Sequence, residues 1–251
     1  MGENMLGELG LENKRCIAFT GAGGKTTAVY TCVREMREEG LPAAAVTTTK
    51  MWKPQEGFLL WRDDLSAEEV KEWIRLHGMR PVTIGRELPD GKIGSIPLNT
   101  LKTLVDQGVR LCVEADGAKG KWIKIPNDRE PVVPDFCDAV IGILNQKALG
   151  KSFLEVAHRP EICAERLGKR PEDLVEMKDL CRLWLDKDGI FQNCRQIKRA
   201  VLSGVEPGMG EALFKEYREV FRWMRQQEMP VYIWERNDDR QRVFRTDQEP
   251  L

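Results

Sequence analysis

The sequence contains few of the side chains from which metal centres and disulfide frameworks are built. Among its 251 residues there are only two histidines, and the seven cysteines are odd in number, widely separated and never arranged as C-x-x-C. Neither a zinc site nor a set of disulfides is therefore expected. Most of the cysteines have apolar neighbours, which favours their interpretation as small core residues of a reduced, cytoplasmic protein.

Long apolar runs and an excess of either charge are missing as well. No segment approaches the ~20 apolar residues that would span a bilayer. The N-terminal "MGENMLGELGLENKR" lacks the sustained apolar stretch of a secretory signal. The net charge is −1, so there is no global attraction to nucleic acid or to an anionic membrane, and we expect neither as a partner.

Alternating strand and helix patterns predict the fold class. "RCIAFTG", a helix from about Lys25 and "PAAAVTTT" together form a βαβ unit. The apolar runs in "RLCVEADG", "AVIGILN" and "PVYIWE" do not alternate with polar residues, which is typical of parallel strands buried on both faces. The sequence therefore predicts an α/β fold of the P-loop type, with a doubly wound, mostly parallel sheet.

The C-terminal part of the chain is predicted to be richer in helix. Residues 152–228 show a mostly helical pattern, with helices near 171–185 and 211–228, before a strand returns at 230–235. No Ser/Gly-rich linker interrupts the sequence, so we expect a single domain over residues 1–251.

The helices are expected to be amphipathic. In the helix after Lys25, Glu35 and Arg37 fall on the predicted solvent face. In "PLNTLKTLVDQG", Leu98 is predicted to point inward together with the later leucines. A capping box in "SAEEVKEWIRLHG" marks the start of another helix.

The stretch "FTGAGGKTT" predicts a phosphate-binding loop at a helix N-terminus. The usual pattern G-x-x-x-x-G-K-[ST] would place its first glycine at position 19, where this chain has Phe19. We interpret Phe19 as a core residue of the preceding strand, so that the loop begins at Gly21 and is compact, similar to the loop of Mur-type peptide ligases. Glycines allow close backbone approach, Lys25 supplies charge and Thr26 supplies a hydroxyl for Mg²⁺. The alternative is a glycine-rich turn with a solvent-exposed lysine. The predicted nucleotide-binding residues are Gly21, Ala22, Gly23, Gly24, Lys25, Thr26 and Thr27.

Two carboxylates end the strand "RLCVEADG". Glu114 and Asp116 are two residues apart and so face the same side, at the strand end that borders the ligand crevice of an open α/β sheet. Together with Thr26 they are candidates to hold Mg²⁺, directly or through water, and with Lys25 they are the candidate catalytic residues. The alternative is that they are ordinary strand-end carboxylates that meet solvent.

Weaker candidates flank these motifs. Thr48, Thr49 and Lys50 leave the second strand at the same edge and are candidates for contacts to the γ-phosphate or to metal-bound water. Three lysines follow the acidic turn, of which Lys119 is the favoured phosphate or substrate contact, and Arg159 is a candidate anion clamp. Surface lysines and β-branched strand residues are the alternative interpretation of these patterns. His158 is interpreted as a packed or surface residue.

The combination of "GAGGKTT", "TTTKM" and "EADGAKGKWIKIPNDREPVVP" resembles the YqeC-type proteins, an accessory family associated with selenium-dependent molybdenum hydroxylases. The resemblance covers about residues 14–163. It implies an NTP-binding α/β fold, and a role in the biosynthesis or insertion of a selenium or molybdenum cofactor. It also maps the loop onto residues 21–27 and the acidic motif onto Glu114, Asp116 and Gly117.

The sequence departs from this resemblance at two places, the second of which affects the expected ligand. Trp122 stands where a smaller residue or proline is expected. Residues 200–210, "AVLSGVEPGMG", lack the Asn, Lys and Asp of the L-N-K-x-D-like segment that commonly reads guanine. The expected ligands are therefore Mg²⁺ and a nucleotide, with ATP favoured over GTP.

Three functions are compatible with these residues. The first is a Mg²⁺-dependent P-loop NTPase or phosphotransferase that serves hydroxylase maturation. The second is a nucleotide-operated switch that delivers cargo to a molybdenum hydroxylase or its cofactor, without a small-molecule acceptor. The third is a Mur-like ATP-dependent ligase. Rapid turnover with a small acceptor would favour the first, and slow, partner-stimulated turnover would favour the second.

Overall fold

The fold is an α/β architecture built around one large sheet. The computed structural model describes residues 4–237 and 241–246. Its strands are β1 (Cys16–Gly21), β2 (Ala43–Thr47), β3 (Lys50–Trp52), β4 (Phe58–Leu60), β5 (Thr83–Glu87), β6 (Lys92–Gly94), β7 (Arg110–Glu114), β8 (Ile123–Lys124), β9 (Ala139–Asn145), β10 (Ala157–His158), β11 (Ile197–Val205), β12 (Val231–Arg236) and β13 (Gln241–Arg245). Its α-helices are α1 (Met5–Glu8), α2 (Lys25–Glu38), α3 (Ala67–Leu76), α4 (Leu98–Asp106), α5 (Phe153–Val156), α6 (Pro160–Leu167), α7 (Met177–Leu185), α8 (Gly210–Glu216) and α9 (Arg218–Gln226).

The main sheet is mostly parallel, as predicted. In the described residues it has eleven strands, ordered β13-β12-β11-β9-β1-β7-β2-β5-β6-β3, with β4 also paired to β5. Every neighbouring pair from β12 to β5 is parallel. The pairs of β13 with β12, β6 with β5 and β3 with β6 are antiparallel. Strands β8 and β10 form a separate parallel pair.

Both faces of the sheet are covered, which confirms the doubly wound prediction. Alternate residues of β1 belong to two different hydrophobic clusters. Cys16 and Ala18 pack in a cluster that includes residues of α3, α4 and α7, whereas Ile17 and Phe19 pack in a second cluster with α1 and α2. Phe19 is fully buried, so this displaced position of the loop motif is a core residue, as expected.

The region predicted to be mostly helical also contains a strand that the sequence analysis missed. β11 lies between β9 and β12 in the main sheet, whereas α5 to α9 lie on either side of it along the chain. Its first three residues, Ile197–Arg199, are exposed or half-buried, and its continuously buried run extends only from Ala200 to Ser203. This run is too short to be distinguished from a helix segment by periodicity.

Two helix-face predictions were wrong. Leu98 is 45% exposed because it is the first residue of α4, and only the later turns of that helix pack on the sheet. Glu35 and Arg37 are buried in α2, not solvated. Glu35 accepts backbone N–H groups of α1, and Arg37 donates to the carbonyl oxygen of Ile74 in α3 at 2.7 Å. Burial raises the pKa of the Glu35 carboxyl. Charged residues on a helix are therefore buried here where they connect one helix to the next.

The cysteines lie in the core. All seven are buried as free thiols, and burial raises the pKa of Cys163 and of Cys181 to about 12. Such thiols remain protonated and unreactive at neutral pH. Of the helices in the described part of the chain, none is both long and apolar enough to cross a bilayer.

Removal of Trp184 is expected to test whether the helical segment and the sheet unfold together. This residue of α7 is 1% exposed, and its indole Nε1 donates to the carbonyl oxygen of Gly142 in β9 at 2.9 Å. Trp184→Ala should lower the free energy of unfolding by about 3–5 kcal/mol, measured by urea denaturation. The matched control is Trp52→Ala at a 71% exposed position, which should change it by less than about 0.5 kcal/mol. Two separate transitions, of which Trp184→Ala shifts only one, would contradict the single-domain prediction.

Candidate functional site

The predicted site residues meet at one edge of the sheet. Phe19 of β1 lies beside Glu114 of β7, and Glu114 in turn lies beside Thr47 of β2. On the other side of β1, Asn145 at the end of β9 is paired with Ser203 near the end of β11. Because neighbouring parallel strands have their carboxyl ends at the same edge, the segments after these five strands border one crevice.

The glycine-rich loop (residues 21–27) passes from β1 into α2 through backbone that favours glycine. Gly21, Gly23 and Gly24 have φ angles of 93°, 75° and 148°. A Cβ on Gly21 would lie 2.1 Å from the carbonyl oxygen of Ile143, so alanine has no room there. The buried Ala22 donates its N–H to that same oxygen at 2.8 Å. The loop is therefore held against β9, and α2 begins directly after Gly24.

Two side chains that the sequence analysis did not single out hold the middle of this loop. The Nδ2 of Asn145 and the Oγ of Ser203 both donate to the carbonyl oxygen of Gly23, at 2.8 Å and 2.6 Å. A Cβ on Gly23 would lie 2.5 Å from the Cβ of Asn145. Both residues could have been recognised in the sequence as polar residues that follow an apolar run, which is how Glu114 was identified.

Lys25 lies across the loop rather than in solvent. Its side chain is only 5% exposed, although it stands in the first turn of α2. Nζ donates to the carbonyl oxygen of Gly21 at 2.6 Å and forms an ion pair with Asp116 Oδ1 at 3.0 Å. The other oxygen of Asp116 accepts the N–H of Gly21 at 3.0 Å. The ammonium group of Lys25 is thus fixed at the mouth of the loop, which excludes the solvent-exposed alternative.

Thr26 and Glu114 form the second contact between the loop and the acidic turn (residues 114–117). The Oγ1 of Thr26 donates to Glu114 Oε2 at 2.7 Å. Thr26 is exposed, whereas Glu114 is 7% exposed. Burial raises the pKa of the Glu114 carboxyl, and the opposing effects of Lys25 and of the Thr26 hydrogen bond do not cancel the increase. Both predicted carboxylates therefore contact the loop, and neither is an ordinary solvated strand end.

A chain of alternating charges, Lys25–Asp116–Lys124–Glu130–Arg159, extends from the loop, and its first three members are buried while the last two are half-buried. Lys124 is fully buried and forms ion pairs with Asp116 Oδ2 and Glu130 Oε2, both at 3.0 Å. Arg159 reaches the same Glu130 oxygen at 3.2 Å. Burial alone would raise the pKa of Glu130, but Lys124 and Arg159 outweigh it and the pKa is lowered. Three cations and two carboxylates thus alternate along this chain, and Glu114 lies near its Lys25 end.

This chain of charges identifies Lys124, not Lys119, as the lysine of the acidic loop that enters the site. Lys119 is exposed, with a φ of 48° in the left-handed region. Sequence reasoning could not select Lys124 because β8, which carries it, is only two residues long and pairs with the distant β10. Arg159 lies at the far end of the chain of charges, where Glu130 already neutralises much of its charge.

The remaining candidates lie at the periphery. The Thr48 hydroxyl donates to the carbonyl oxygen of Val132 at 2.7 Å, and the Thr49 N–H donates to the Thr47 hydroxyl at 3.1 Å. Lys50 is exposed at the start of β3, and Thr27 is half-buried in the first turn of α2. Thr48 and Thr49 therefore order the β2–β3 connection beside Glu114.

His158 is half-buried, in agreement with its interpretation as a packed residue. Burial, followed by the charges of Arg159 and Lys124, lowers its pKa. Both effects favour the neutral form of the ring.

The arrangement fits a cation that is completed by a ligand, not a metal centre formed by protein side chains alone. In the part of the chain that the structure describes, no three His, Cys, Asp or Glu side chains are grouped to hold a metal. Thr26 and Glu114 nevertheless place a hydroxyl and a carboxylate oxygen 2.7 Å apart at the loop. Oxygen donors of this kind suit Mg²⁺, which commonly takes one or two protein ligands together with phosphate oxygens and water.

Sequence comparisons detect relatives of this chain. A curated relative, the Escherichia coli (strain K12) protein named "Uncharacterized protein YqeC", is 26% identical over 193 residues, which cover 74% of this chain and 73% of that protein. No solved structure matches the chain at a significant level. The family model described as "YqeC protein" matches residues 17–161, from β1 through the loop, the acidic turn and Arg159. Because that match covers more than half of the sequence, the chain belongs to the YqeC family.

Proposed function

We propose that this protein binds a Mg²⁺–nucleotide at the glycine-rich loop and uses it for phosphoryl transfer or hydrolysis. The observation that carries the proposal is the position of Lys25. Its ammonium is held at the mouth of the loop by Gly21 O and Asp116, at 2.6 Å and 3.0 Å. A buried lysine beside a helix N-terminus and a glycine turn provides the charge and the backbone donors that phosphate oxygens require.

Each residue of the site has a distinct role in this proposal. Lys25 stabilises negative charge on the β- and γ-phosphates, and Gly23 and Gly24 let the phosphates approach the backbone. Thr26 and Glu114 would hold Mg²⁺, with Asp116 nearby to orient Lys25 and the attacking group. Mg²⁺, when bound, neutralises phosphate charge as it develops. Because Asn145 and Ser203 fix the carbonyl oxygen of Gly23, they keep the loop in the shape that receives the phosphates.

The proposed biological role rests on the resemblance of the three sequence motifs to the YqeC-type proteins. We expect a maturation role for a selenium-dependent molybdenum hydroxylase, through biosynthesis or insertion of its cofactor. ATP is the favoured nucleotide, because residues 200–210 lack a guanine-reading segment and Ser203 instead supports the loop at 2.6 Å from Gly23 O.

Loss of the Lys25 charge should abolish tight nucleotide binding. Calorimetric titration of ATP and of GTP, with and without Mg²⁺, should give Mg²⁺-dependent binding of ATP to the wild-type chain. Lys25→Met should weaken it by roughly 10- to 100-fold, the equivalent of about 1.5–3 kcal/mol for a charged hydrogen bond. Lys102→Met, at an exposed lysine paired with Asp106 on α4, is the matched control and should leave the affinity unchanged. Equal affinity of wild type and Lys25→Met would refute the proposal.

Nucleotide binding should weaken as the pH falls, because protonation of Glu114 removes a carboxylate oxygen from the cation site. Since burial raises the pKa of Glu114 above its usual range, the affinity for Mg²⁺–ATP should already decline at pH values above those at which an ordinary glutamate titrates. Glu114→Gln should bind more weakly at pH 7 and lose most of this pH dependence. The same pH profile in the wild type and the variant would assign the titration to another group.

A nucleotide-operated switch is a second candidate, and the position of Asp116 favours it. This carboxylate contacts both Lys25 and Lys124 as well as the N–H of Gly21. A bound phosphate competes with Asp116 for Lys25, and any shift of Asp116 is passed to the segment 117–124. Two conformations of that segment would then depend on the nucleotide.

Limited trypsin digestion tests the switch, because Lys119 and Lys121 lie in the segment that should respond. Addition of Mg²⁺–ATP should slow cleavage after these two lysines several-fold, as quantified by mass spectrometry. Lys25→Met should show no such protection, and cleavage after the distant Lys102 serves as the internal reference. Unchanged cleavage at Lys119 and Lys121, under conditions in which calorimetry detects bound nucleotide, would eliminate the switch but not the enzyme.

A further inference from the structure

We propose that a cleft beside the glycine-rich loop binds a small planar or apolar molecule that carries a phosphate or carboxylate dianion. This inference goes beyond the proposed function, because the cleft has its own lining and no residue of the loop belongs to it. We call it the Trp122 cleft. It has a volume of 530 Å³ and is lined by Lys119, Gly120, Lys121, Trp122, Lys151, Glu155 and Val156. Small-molecule sites in proteins range over roughly 300–1,000 Å³.

The charges of the lining select an anion. Three lysines surround the cleft against a single carboxylate, that of Glu155. This carboxylate is engaged at the start of α5, where it accepts the Ser152 N–H at 3.1 Å and the Ser152 hydroxyl at 3.0 Å. Lys121 donates to the backbone carbonyl oxygen of Glu155 at 2.7 Å, not to its carboxylate. The ammonium groups therefore give the cleft a net positive charge, which a dianion would neutralise.

The indole of Trp122 selects a planar or apolar body. Trp122 is half-buried and packs against the main hydrophobic cluster, so its orientation is set by the core. Lys151 Nζ lies 5.7 Å from the centre of its ring. An aromatic surface with cations around it suits a ligand that combines a flat apolar part with negative charge. The lysines alone would not select a flat ligand, and the ring alone would not select an anion.

The position of Trp122 connects the cleft to the loop. The backbone of Trp122 packs against Gly23, since a Cβ on that glycine would lie 3.0 Å from the carbonyl oxygen of Trp122. The same oxygen accepts the N–H of Asn145 at 3.1 Å. Trp122 in turn donates its N–H to Val156 O at 3.0 Å. A ligand in the cleft is thus one residue layer from the proposed phosphate position.

The backbone conformation of Lys119 supports a ligand-binding role for the Trp122 cleft. Its φ of 48° is uncommon for a residue with a side chain, and it places a strained residue three positions after Asp116. Such strain persists only where the surrounding structure fixes it, and it is concentrated at ligand-contacting turns.

Calorimetry with simple probes tests the cleft without nucleotide. Phenyl phosphate, phthalate, phenol and inorganic phosphate are titrated separately into the wild-type full-length chain. Phenyl phosphate or phthalate should bind at least about tenfold more tightly than phenol, because the cleft requires charge. A preference for phenyl phosphate assigns a phosphorylated ligand, and a preference for phthalate a carboxylated one. Equal affinity for phenol, or no binding of either anion, would overturn the proposal.

Variants then locate the bound probe. The double variant Lys119→Gln/Lys151→Gln, and separately Trp122→Leu, should each weaken binding of the preferred probe by about tenfold. The matched control is the pair Trp52 and Lys92, another ring and ammonium 4.9 Å apart at the sheet edge, where Trp52→Leu and Lys92→Gln should have no effect.

Lys25→Met separates the cleft from the loop. If the cleft assignment is correct, this variant binds the probe normally even when it has lost ATP. Loss of the probe in Lys25→Met, with normal binding in the cleft variants, would place the probe on the loop and refute the cleft. If the wild-type protein binds the probe but binds no nucleotide, the proposed function is refuted and the cleft assignment stands.

Discussion

The site depends on the carboxylate of Asp116. Its two oxygens contact two lysines, Lys25 and Lys124, and the N–H of Gly21, and they therefore join the loop after β1 to the turn after β7. Placing three charged groups at 5% exposure or less requires substantial desolvation, and buried ion pairs of this kind are weak contributors to stability. Hydrophobic residues of similar volume would fill the same space without that cost. The contribution of these ion pairs to stability does not by itself account for the arrangement, whereas the proposed contact between Lys25 and a phosphate would.

The parallel sheet determines which residues can surround Asp116. β7 lies next to β1, so the acidic turn reaches the loop directly, whereas β9 and β11 approach from the other side and bring Asn145 and Ser203 to Gly23. The loop is thus held from both sides by residues at the ends of neighbouring strands. This explains how a loop that lacks the usual first glycine keeps its shape. Phe19, which occupies the position of the usual first glycine, packs in the core. The chain turns only at Gly21, which packs against β9.

Local sequence signals were sufficient to predict that the glycine-rich loop and the acidic turn follow strands of a parallel sheet. The glycines, Lys25, Thr26 and the two carboxylates stand within a few residues of strongly apolar strands, so their position at a strand end could be inferred from the sequence. Lys124 could not be selected because its burial depends on pairing between β8 and β10, and on Glu130. β11 was missed for a related reason, since only its second half is apolar. Glu35 and Arg37 were misplaced because their partners lie in other helices.

Trp122 is the residue where these observations meet. Its backbone carbonyl accepts the N–H of Asn145, which in turn donates to the carbonyl oxygen of Gly23, so two hydrogen bonds connect the wall of the Trp122 cleft to the loop. A second connection runs through Lys124, two residues further on, to Asp116 and Lys25. A ligand in the cleft that displaced Trp122 would therefore move the loop in two ways, through the hydrogen bonds of the Trp122 backbone and through the ion pairs of Lys124. A side chain at position 23 would collide with the Cβ of Asn145 and the backbone of Trp122, so it is the absence of a side chain at Gly23 that lets the loop and the wall of the cleft pack against each other.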